Sequence, residues 1–250
     1  EWVLFLDGDD RMAPGLLGGL RRTLAEEPGF DWYIGRYLRL LPEGCLEPHA
    51  GLVFAPGATE GDFAARLSAL YAAGHWSVWK YCLRRAFLQE RGLQFREDVR
   101  WAEDVGFDLE LLAAGARMNF IDLVFTHYRE NRAGSLLNDA KNLPRRFTAI
   151  AATWRHVEAM RETGALDAAA FAAARDAVAD VFWPQARTAA VPDQALRAAC
   201  LPGLRALRGL YPYGKEVREQ RSWRAYQLLL RTVGPKFATW AASLGKGKAQ

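Results

Sequence analysis

Three carboxylates stand within four residues near the start of the chain: Asp7, Asp9 and Asp10. They follow the apolar run 2–6, which predicts a buried strand in a parallel sheet. Open α/β sheets bind ligands at the carboxyl ends of their strands, and carboxylates bind divalent cations that bridge to substrate phosphates. The spacing therefore indicates a metal–phosphate site. The alternative is an acidic turn that caps the helix after Pro14.

A second pair of acids, Glu103 and Asp104, follows Trp101 and precedes the apolar helical run 109–114. Acidic residues at a helix start are stabilised by the helix dipole, which is the structural explanation of the pair. A carboxylate there also suits general-base catalysis on a sugar hydroxyl, because the base must lie within hydrogen-bond reach of the proton that it removes. The face of Trp101 would offer a stacking surface to a sugar ring.

The order and spacing of these motifs resemble those of the family 2 glycosyltransferases. The matching features are a strand ending in Leu-Asp-x-Asp-Asp, a later Trp-x-Glu-Asp before a helix, and the segments 78–88, 92–95 and 125–129, the last followed by Ser135. The resemblance covers about residues 1–137. It implies an α/β fold of the Rossmann-like glycosyltransferase A type (GT-A), with a partial sheet that lacks its N-terminal strands and with a helical C-terminal extension.

The resemblance also implies an activity: inverting transfer of a sugar from a nucleotide-sugar to a hydroxyl acceptor, which would be a glycan, a surface polysaccharide or a lipid-linked saccharide. Asp7 and Asp9 match the family's Asp-x-Asp, which holds Mg²⁺ or Mn²⁺ and the donor diphosphate. Asp10 is assigned to the same donor site. Arg129 is assigned there too, because a guanidinium binds phosphate bidentately.

On the acceptor side, Asp104 matches the family's catalytic base, and Glu103 is expected to orient the acceptor. Trp101, Trp79 and Trp76 are expected to stack on the acceptor sugar. For Trp79 and Trp76 the alternative, and the commoner role of such residues, is packing in the core. The Gln-x-x-Arg-Trp motif of processive members is absent from the sequence. Its absence favours single sugar additions over polymer synthesis.

Members of the family have nucleoside-binding strands before the Asp-x-Asp strand, whereas this sequence begins inside that strand at Glu1. The chain is therefore expected to be the C-terminal part of a longer protein. By itself it is expected to bind nucleotide-sugars weakly and to associate through an uncovered sheet edge.

Two other classes of function remain open. An aspartyl-nucleophile phosphatase would use Asp7 as nucleophile and Asp9 as acid, with Lys80 and Asp108 among its later motifs. However, the highly charged stretch 96–100 stands where that class needs an apolar strand. The second class is a non-catalytic binding or scaffolding module. A calcium-binding EF-hand loop is excluded, because its fifth and sixth positions would be arginine and methionine.

Composition is typical of a folded enzyme with an ample core, because half of the 250 residues are hydrophobic. No apolar run reaches the ~18 residues of a membrane span. The three cysteines have no paired spacing, so a reducing cytoplasm is the expected location. Two domains are predicted, a catalytic one over residues 1–140 and a helical one over residues 141–250.

The C-terminal region 203–250 is strongly basic, with ten Lys and Arg residues against two acids, a net charge of +8. Trp223, Tyr226, Leu230 and Trp240 recur there at near-helical spacing. A basic amphipathic helix of this kind lies on an anionic membrane surface, here the inner face of the membrane, or has a solvated face and packs on the catalytic domain. Packing is favoured, and nucleic-acid binding is not expected because no recognised binding motif accompanies the charge.

Periodicity and turn residues predict the elements that position these groups. Strands are expected at 2–6, 31–41, 117–122 and 124–129, an extended segment at 76–82, and helices at 14–27, 60–73, 84–91 and 103–114. Gly92 is expected to end the third of these helices. From residue 143 onward the pattern is helical.

Overall fold

The computed structural model describes residues 1–49, 54–73, 77–129, 140–190, 193–213 and 221–246. The chain divides into two compact units, Glu1–Gln94 with Phe107–Ser135 and Phe95–Gly106 with Leu136–Gln250. The units follow contacts in space, so the second unit includes a short segment from the middle of the chain. The predicted division into residues 1–140 and 141–250 stays a prediction.

The first unit is built on one mixed seven-stranded sheet. Its strands are β1 (Trp2–Leu4), β2 (Arg11–Met12), β3 (Trp32–Leu40), β4 (Leu46–Pro48), β5 (Gly57–Thr59), β6 (Tyr81–Arg84) and β7 (Met118–Arg129). The order is β1-β6-β3-β7-β2, with β4 beside β3 and β5 beside β7. Strands β3 and β7 are parallel, and the other recorded pairs are antiparallel.

The prediction of a buried, parallel first strand is wrong. β1 pairs antiparallel with β6, with Trp2 opposite Arg84, and its residues are half-buried. An apolar run specifies neither the partner nor the direction of a strand, and β1 lies at one end of the strand order. Its apolar side chains nevertheless join the core, because the Trp2 ring packs edge-on against Tyr33 at 5.3 Å. Beyond the strand, Leu6 is 48% exposed.

Four helices accompany this sheet: α1 (Leu16–Glu26), α2 (Phe63–Ala72), α3 (Arg85–Arg91) and α4 (Glu103–Ala113), of which the last begins in the second unit. All four confirm predicted helices within a few residues at each end. Gly92 caps α3 in the left-handed conformation (φ 63°), as predicted, and Gly115 (φ 79°) follows α4. At the end of α4 the Arg66 guanidinium donates to the carbonyls of Leu112 and Ala116.

Asp31 joins three strands at one end of the sheet. Its carboxylate is buried and accepts hydrogen bonds from Arg84 Nε at 2.9 Å and from the backbone N–H of Arg117 at 3.1 Å. These residues adjoin β3, β6 and β7, so one carboxylate fixes the relative positions of these three strands.

The predicted strands 117–122 and 124–129 form one continuous strand, β7. Its pairing with β3 shifts register on both sides of Arg36, next to Gly35. A Cβ atom on Gly35 would lie 2.0 Å from the ring of Phe125 and 2.8 Å from the carbonyl oxygen of Leu123. The irregularity therefore depends on a residue without a side chain at this position.

Gly35→Ala is expected to destabilise the protein by roughly 1–3 kcal/mol, because the added methyl group overpacks a buried site against backbone. Urea unfolding of the full chain measures this difference. Gly18→Ala is the matched control: Gly18 lies exposed in α1, and a Cβ there meets nothing within 4 Å. The control is expected to be neutral or stabilising by about 0.5–1 kcal/mol. Equal urea midpoints for Gly35→Ala and the parent protein would contradict the close approach of Phe125 and the Leu123 carbonyl to Gly35.

The second unit is helical over its described residues from Ala140 onward, as predicted. Its helices are α5 (Leu143–Glu162), α6 (Ala168–Thr188), α7 (Gln194–Ala206), α8 (Arg221–Thr232) and α9 (Pro235–Lys246). Phe147, Phe182, Trp183 and Tyr211 are fully buried and in ring contact with one another. The mixed α/β sheet and its helical extension confirm the predicted fold class.

Two of the four apolar residues singled out in the basic tail are buried in this unit. The Tyr226 hydroxyl donates to the Ala186 carbonyl at 3.1 Å, and Leu230 is 1% exposed, whereas Trp240 is 46% exposed. These contacts of α8 lie within the second unit, and packing of the tail on the catalytic domain stays a prediction. Across the described residues, none of the helices combines the length and the apolarity needed to cross a bilayer. Membrane contact by the tail stays a prediction.

Candidate active site

The three N-terminal carboxylates lie in a loop of the first unit, between β1 and β2. The loop turns tightly, because the backbone N–H of Asp10 donates to the Asp7 carbonyl at 3.1 Å. The Asp7 side chain is exposed, and the Asp9 and Asp10 side chains are half-buried. β2 then pairs with the end of β7, so the loop begins and ends on the sheet.

Arg129, the last residue of β7, holds this loop in place. Its backbone N–H donates to Asp10 Oδ1 at 2.8 Å, and its guanidinium Nε donates to the Asp9 carbonyl at 3.0 Å. The structure therefore brings Arg129 together with two of the predicted donor residues. These contacts of Arg129 are with the loop itself, and the phosphate contact assigned to Arg129 stays a prediction.

The charges of the loop repel one another. Burial raises the pKa of Asp10, and the neighbouring Asp7 and Asp9 raise it further, against the opposing effect of the Arg129 hydrogen bond. Asp10 Oδ2 is buried and has no hydrogen-bond partner among the described residues. A cation near the loop would relieve both the repulsion and the unsatisfied oxygen.

The described residues contain no convergent group of three or more His, Cys, Asp or Glu side chains of the kind that holds a metal by itself. Mg²⁺, however, is commonly held by only one or two carboxylates, with phosphate and water oxygens as its other ligands. Asp9 and Asp7, at the end of a strand and beside an unsatisfied carboxylate oxygen, fit that kind of site.

Glu103 and Asp104 form the first turn of α4 and belong to the second unit. Glu103 is exposed, and Asp104 is half-buried. Asp104 Oδ1 accepts a hydrogen bond from the backbone N–H of Val105 at 3.0 Å, which restricts the orientation of the carboxylate.

The residue before this pair has an unusual backbone. Ala102 is the one non-glycine residue with positive φ (50°) among the described residues, and its carbonyl accepts from Val105 N–H. The left-handed conformation costs an alanine about 1–2 kcal/mol, and such strain is concentrated at functional sites. Sequence reasoning missed this feature, because alanine carries no signal for it.

Trp101 packs in the second unit against the cluster of Val99, Ala149 and Ala152. The Arg146 guanidinium lies 5.6 Å from its ring centroid, a cation–π contact. The ring is therefore held in a fixed position before the acidic pair, and its stacking on a sugar stays a prediction.

Trp79 belongs to an aromatic cluster of the first unit. Its ring stacks on Tyr128 at 5.1 Å and meets Tyr37 edge-on at 4.8 Å, and its carbonyl accepts from the Thr126 hydroxyl at 2.7 Å. These contacts match the structural explanation of Trp79, as a packed aromatic residue. Trp76 lies outside the described residues.

The residues that the phosphatase reading requires are buried inside the first unit. Lys80 is fully buried, and its Nζ donates to the Ala73 carbonyl at 3.0 Å. Asp108 is also fully buried, and its Oδ2 accepts from the Tyr81 hydroxyl at 2.8 Å. Both side chains thus have recorded partners that stabilise the fold.

Comparison with known proteins finds a relative that matches a short part of the chain. No protein-family model matches the chain. A stretch of 56 residues is 39% identical to the "uncharacterized glycosyltransferase EpsJ" of Bacillus subtilis (strain 168), and it spans 22% of this chain and 16% of that relative.

Solved structures match the whole chain. The crystal structure of S. aureus TarS 1–349 in complex with UDP-GlcNAc superposes with a TM-score of 0.67 at 14% identity, covering 100% of this chain and 68% of that one. The complex of the same protein with UDP gives a TM-score of 0.63. In a further crystal structure of S. aureus TarS, the chain spans 38% of the length of the TarS polypeptide. The chain therefore has the fold of S. aureus TarS 1–349.

Proposed function

We propose that the protein is a metal-dependent glycosyltransferase of the family 2 type, which transfers a sugar from a nucleotide-sugar to a hydroxyl group of a saccharide or lipid-linked saccharide. The observation that carries the proposal is the loop 7–10: Arg129 fixes its backbone, and its carboxylates stand at the end of a strand. The fold shared with TarS supports the proposal. Because one TarS complex contains UDP-GlcNAc, UDP-sugars are the first donors to test.

On the donor side, Asp9 and Asp7 would hold Mg²⁺ or Mn²⁺ together with the diphosphate of the donor. The cation, when bound, supplies Lewis-acid neutralisation of the charge that develops on the leaving diphosphate. Arg129 acts through the loop: its two hydrogen bonds keep the backbone of Asp9 and Asp10 in position. Such preorganisation matters because misplacement of a catalytic group by even ~1 Å lowers rates strongly.

On the acceptor side, Asp104 removes the proton of the attacking hydroxyl. The acceptor oxygen forms its bond to the anomeric carbon as the bond from that carbon to the diphosphate oxygen breaks on the opposite face, so the configuration inverts. The Val105 N–H bond orients the Asp104 carboxylate for this step. Exposed Glu103 orients the acceptor by hydrogen bonding.

Measuring the release of nucleoside diphosphate tests the proposal. The assay uses the natural full-length protein. A panel of uridine, guanosine and cytidine nucleotide-sugars is supplied with Mn²⁺, with and without a mixture of saccharide acceptors. We expect release from one class of donor, lost on chelation of the metal and accelerated by an acceptor. Release from none of the donors would overturn the proposal, and a phosphoryl group trapped on Asp7 would favour a phosphatase.

A further inference from the structure

A groove of about 470 Å³ lies between α7 and α9 in the second unit, within the volume range of small-molecule sites. Each helix contributes residues three and four positions apart, which lie on one helix face. The lining residues are Gln194, Arg197, Ala198, Leu201, Val233, Lys236, Thr239 and Trp240. All of them belong to the second unit, so the groove is complete within it.

Half of the lining of this α7–α9 groove is apolar. Four of its residues contribute hydrocarbon or ring surface: Ala198, Leu201, Val233 and Trp240. The hydroxyl of Thr239 is satisfied inside its own helix, because it donates to the Pro235 carbonyl at 2.6 Å. The groove therefore offers an apolar surface that needs few hydrogen bonds from whatever occupies it.

Exposed apolar side chains are concentrated on the same helices. Among the described residues of the second unit, the large hydrophobic side chains that are exposed are Leu228, Val233 and Trp240. Val233 and Trp240 line the groove, and Leu228 lies on α8, which packs against α9. Exposed apolar groups that cluster in this way mark surfaces that bind a partner or a membrane.

The charged part of the groove is positive. Arg197 and Lys236 are its charged lining residues, and no acid lines it among the described residues. Exposed Arg231 lies three residues after Leu228, on the same side of α8. The surrounding sequence 203–250 carries a net charge of +8. An occupant that combines an apolar part with a negative charge would complement both features of the groove.

A second copy of this chain, an acidic protein and an anionic bilayer are the occupants to compare. In a two-fold dimer identical patches face each other, so a second copy would bring positive charge against positive charge. A tryptophan beside exposed aliphatic groups and cations is typical of the membrane–water interface, where the ring lies at headgroup level and cations bind lipid phosphates. The composition of the groove therefore favours the bilayer.

We propose that the α7–α9 groove docks the protein peripherally on an anionic bilayer. An acyl chain packs on the apolar wall, Arg197 and Lys236 bind the phosphate of its headgroup, and Trp240 enters the interface. The inference does not depend on the proposed function, because the groove contains none of the residues assigned to catalysis and its test requires no turnover.

Co-sedimentation of the full 250-residue chain with lipid vesicles tests the docking. Vesicles of phosphatidylcholine alone are compared with vesicles of an equimolar mixture of phosphatidylcholine and phosphatidylglycerol. We expect the anionic vesicles to bind the protein about tenfold or more tightly, because each cation near such a surface adds several-fold to the affinity. Equal binding to the two kinds of vesicle, or binding to neither, would overturn the proposal.

Charge reversal localises the binding. Lys236→Glu is expected to weaken binding to anionic vesicles about tenfold or more. The variant should fold, because Lys236 is exposed in the first turn of α9, where the helix dipole favours an acid. Arg155→Glu is the matched control, since Arg155 is exposed on α5 and is not among the lining residues. Equal losses in the two variants would mean that net charge alone governs binding, against the groove as the docking site.

Insertion of Trp240 has an optical signature. Brominated phospholipids quench tryptophan fluorescence on contact, so anionic vesicles that contain them should quench part of the emission of the bound protein. Trp240→Phe should keep most of the binding, because the ring that replaces the indole is also apolar, and should lose this quenching. Quenching that persists in Trp240→Phe, or none in the parent protein, would contradict insertion of the groove.

Light scattering after size exclusion tests the competing occupant. We expect the molar mass of the protein to be the same in the parent and in Trp240→Ala, because the groove contacts lipid and not another copy. A dimer that Trp240→Ala dissociates, together with an absence of vesicle binding, would assign the groove to a second copy and overturn the proposal.

Discussion

Asp104→Asn is expected to lower the rate of sugar transfer by about 10²–10⁴-fold, the usual contribution of a general base. The amide is nearly isosteric with the carboxylate, and its oxygen can still accept the Val105 N–H bond that orients Asp104. The start of α4 and the fold should therefore persist. Steady-state kcat measures the loss, and titration calorimetry with the donor should show nearly unchanged affinity.

Glu103→Gln is the comparison for this variant. Exposed Glu103 is assigned to orienting the acceptor, so its loss should act more on KM and should be smaller in kcat. A larger loss in kcat for Glu103→Gln than for Asp104→Asn would mean that the two roles are reversed. Unchanged turnover in Asp104→Asn would show that the acidic pair does not take part in catalysis.

Asp9→Asn is expected to lower metal-dependent transfer by at least about a hundredfold, because a neutral amide is a poor ligand for a hard cation that neutralises the leaving group. The loop should keep its shape, since Arg129 Nε donates to the Asp9 backbone carbonyl and not to its side chain. Turnover titrated with Mn²⁺ measures the effect, and circular dichroism checks the fold.

The control for Asp9→Asn is Asp122→Asn. Asp122 is exposed in the first unit and forms an ion pair with Arg36 at 2.6 Å, a surface contact of small energetic value. Its neutralisation changes the net charge equally and should leave turnover unchanged. Unchanged turnover in Asp9→Asn, or an equal loss in both variants, would contradict the assignment of the metal side.

Helix ends could be predicted from the sequence because they depend on local chemistry. Gly92 and Gly115 take left-handed conformations that other residues adopt with strain, so both mark where a helix finishes. Strand pairing could not be predicted in the same way. The apolar run around β1 is compatible with parallel or antiparallel neighbours, and only its pairing with β6 decides between them.

The candidate site, too, could be predicted only in part from the sequence. Carboxylate type and spacing pointed to Asp7, Asp9 and Asp104 without any structure. The bonds that hold this loop join Arg129 to Asp9 and Asp10, about 120 positions earlier, a separation at which sequence pattern carries no information on contacts.

The parallel pairing of β3 with β7 also determines when the first unit can fold during synthesis. Asp31 and Arg117, which bond at the start of these strands, are 86 residues apart. At a translation rate of ~5–20 residues per second, β3 is made about 4–17 s before its partner. Trp32, Tyr33 and Ile34, all fully buried in the finished sheet, are made before both of their neighbouring strands, β6 and β7. On the growing polypeptide, the apolar segment Trp32–Ile34 is therefore accessible to the ribosome surface and to chaperones before the sheet covers it.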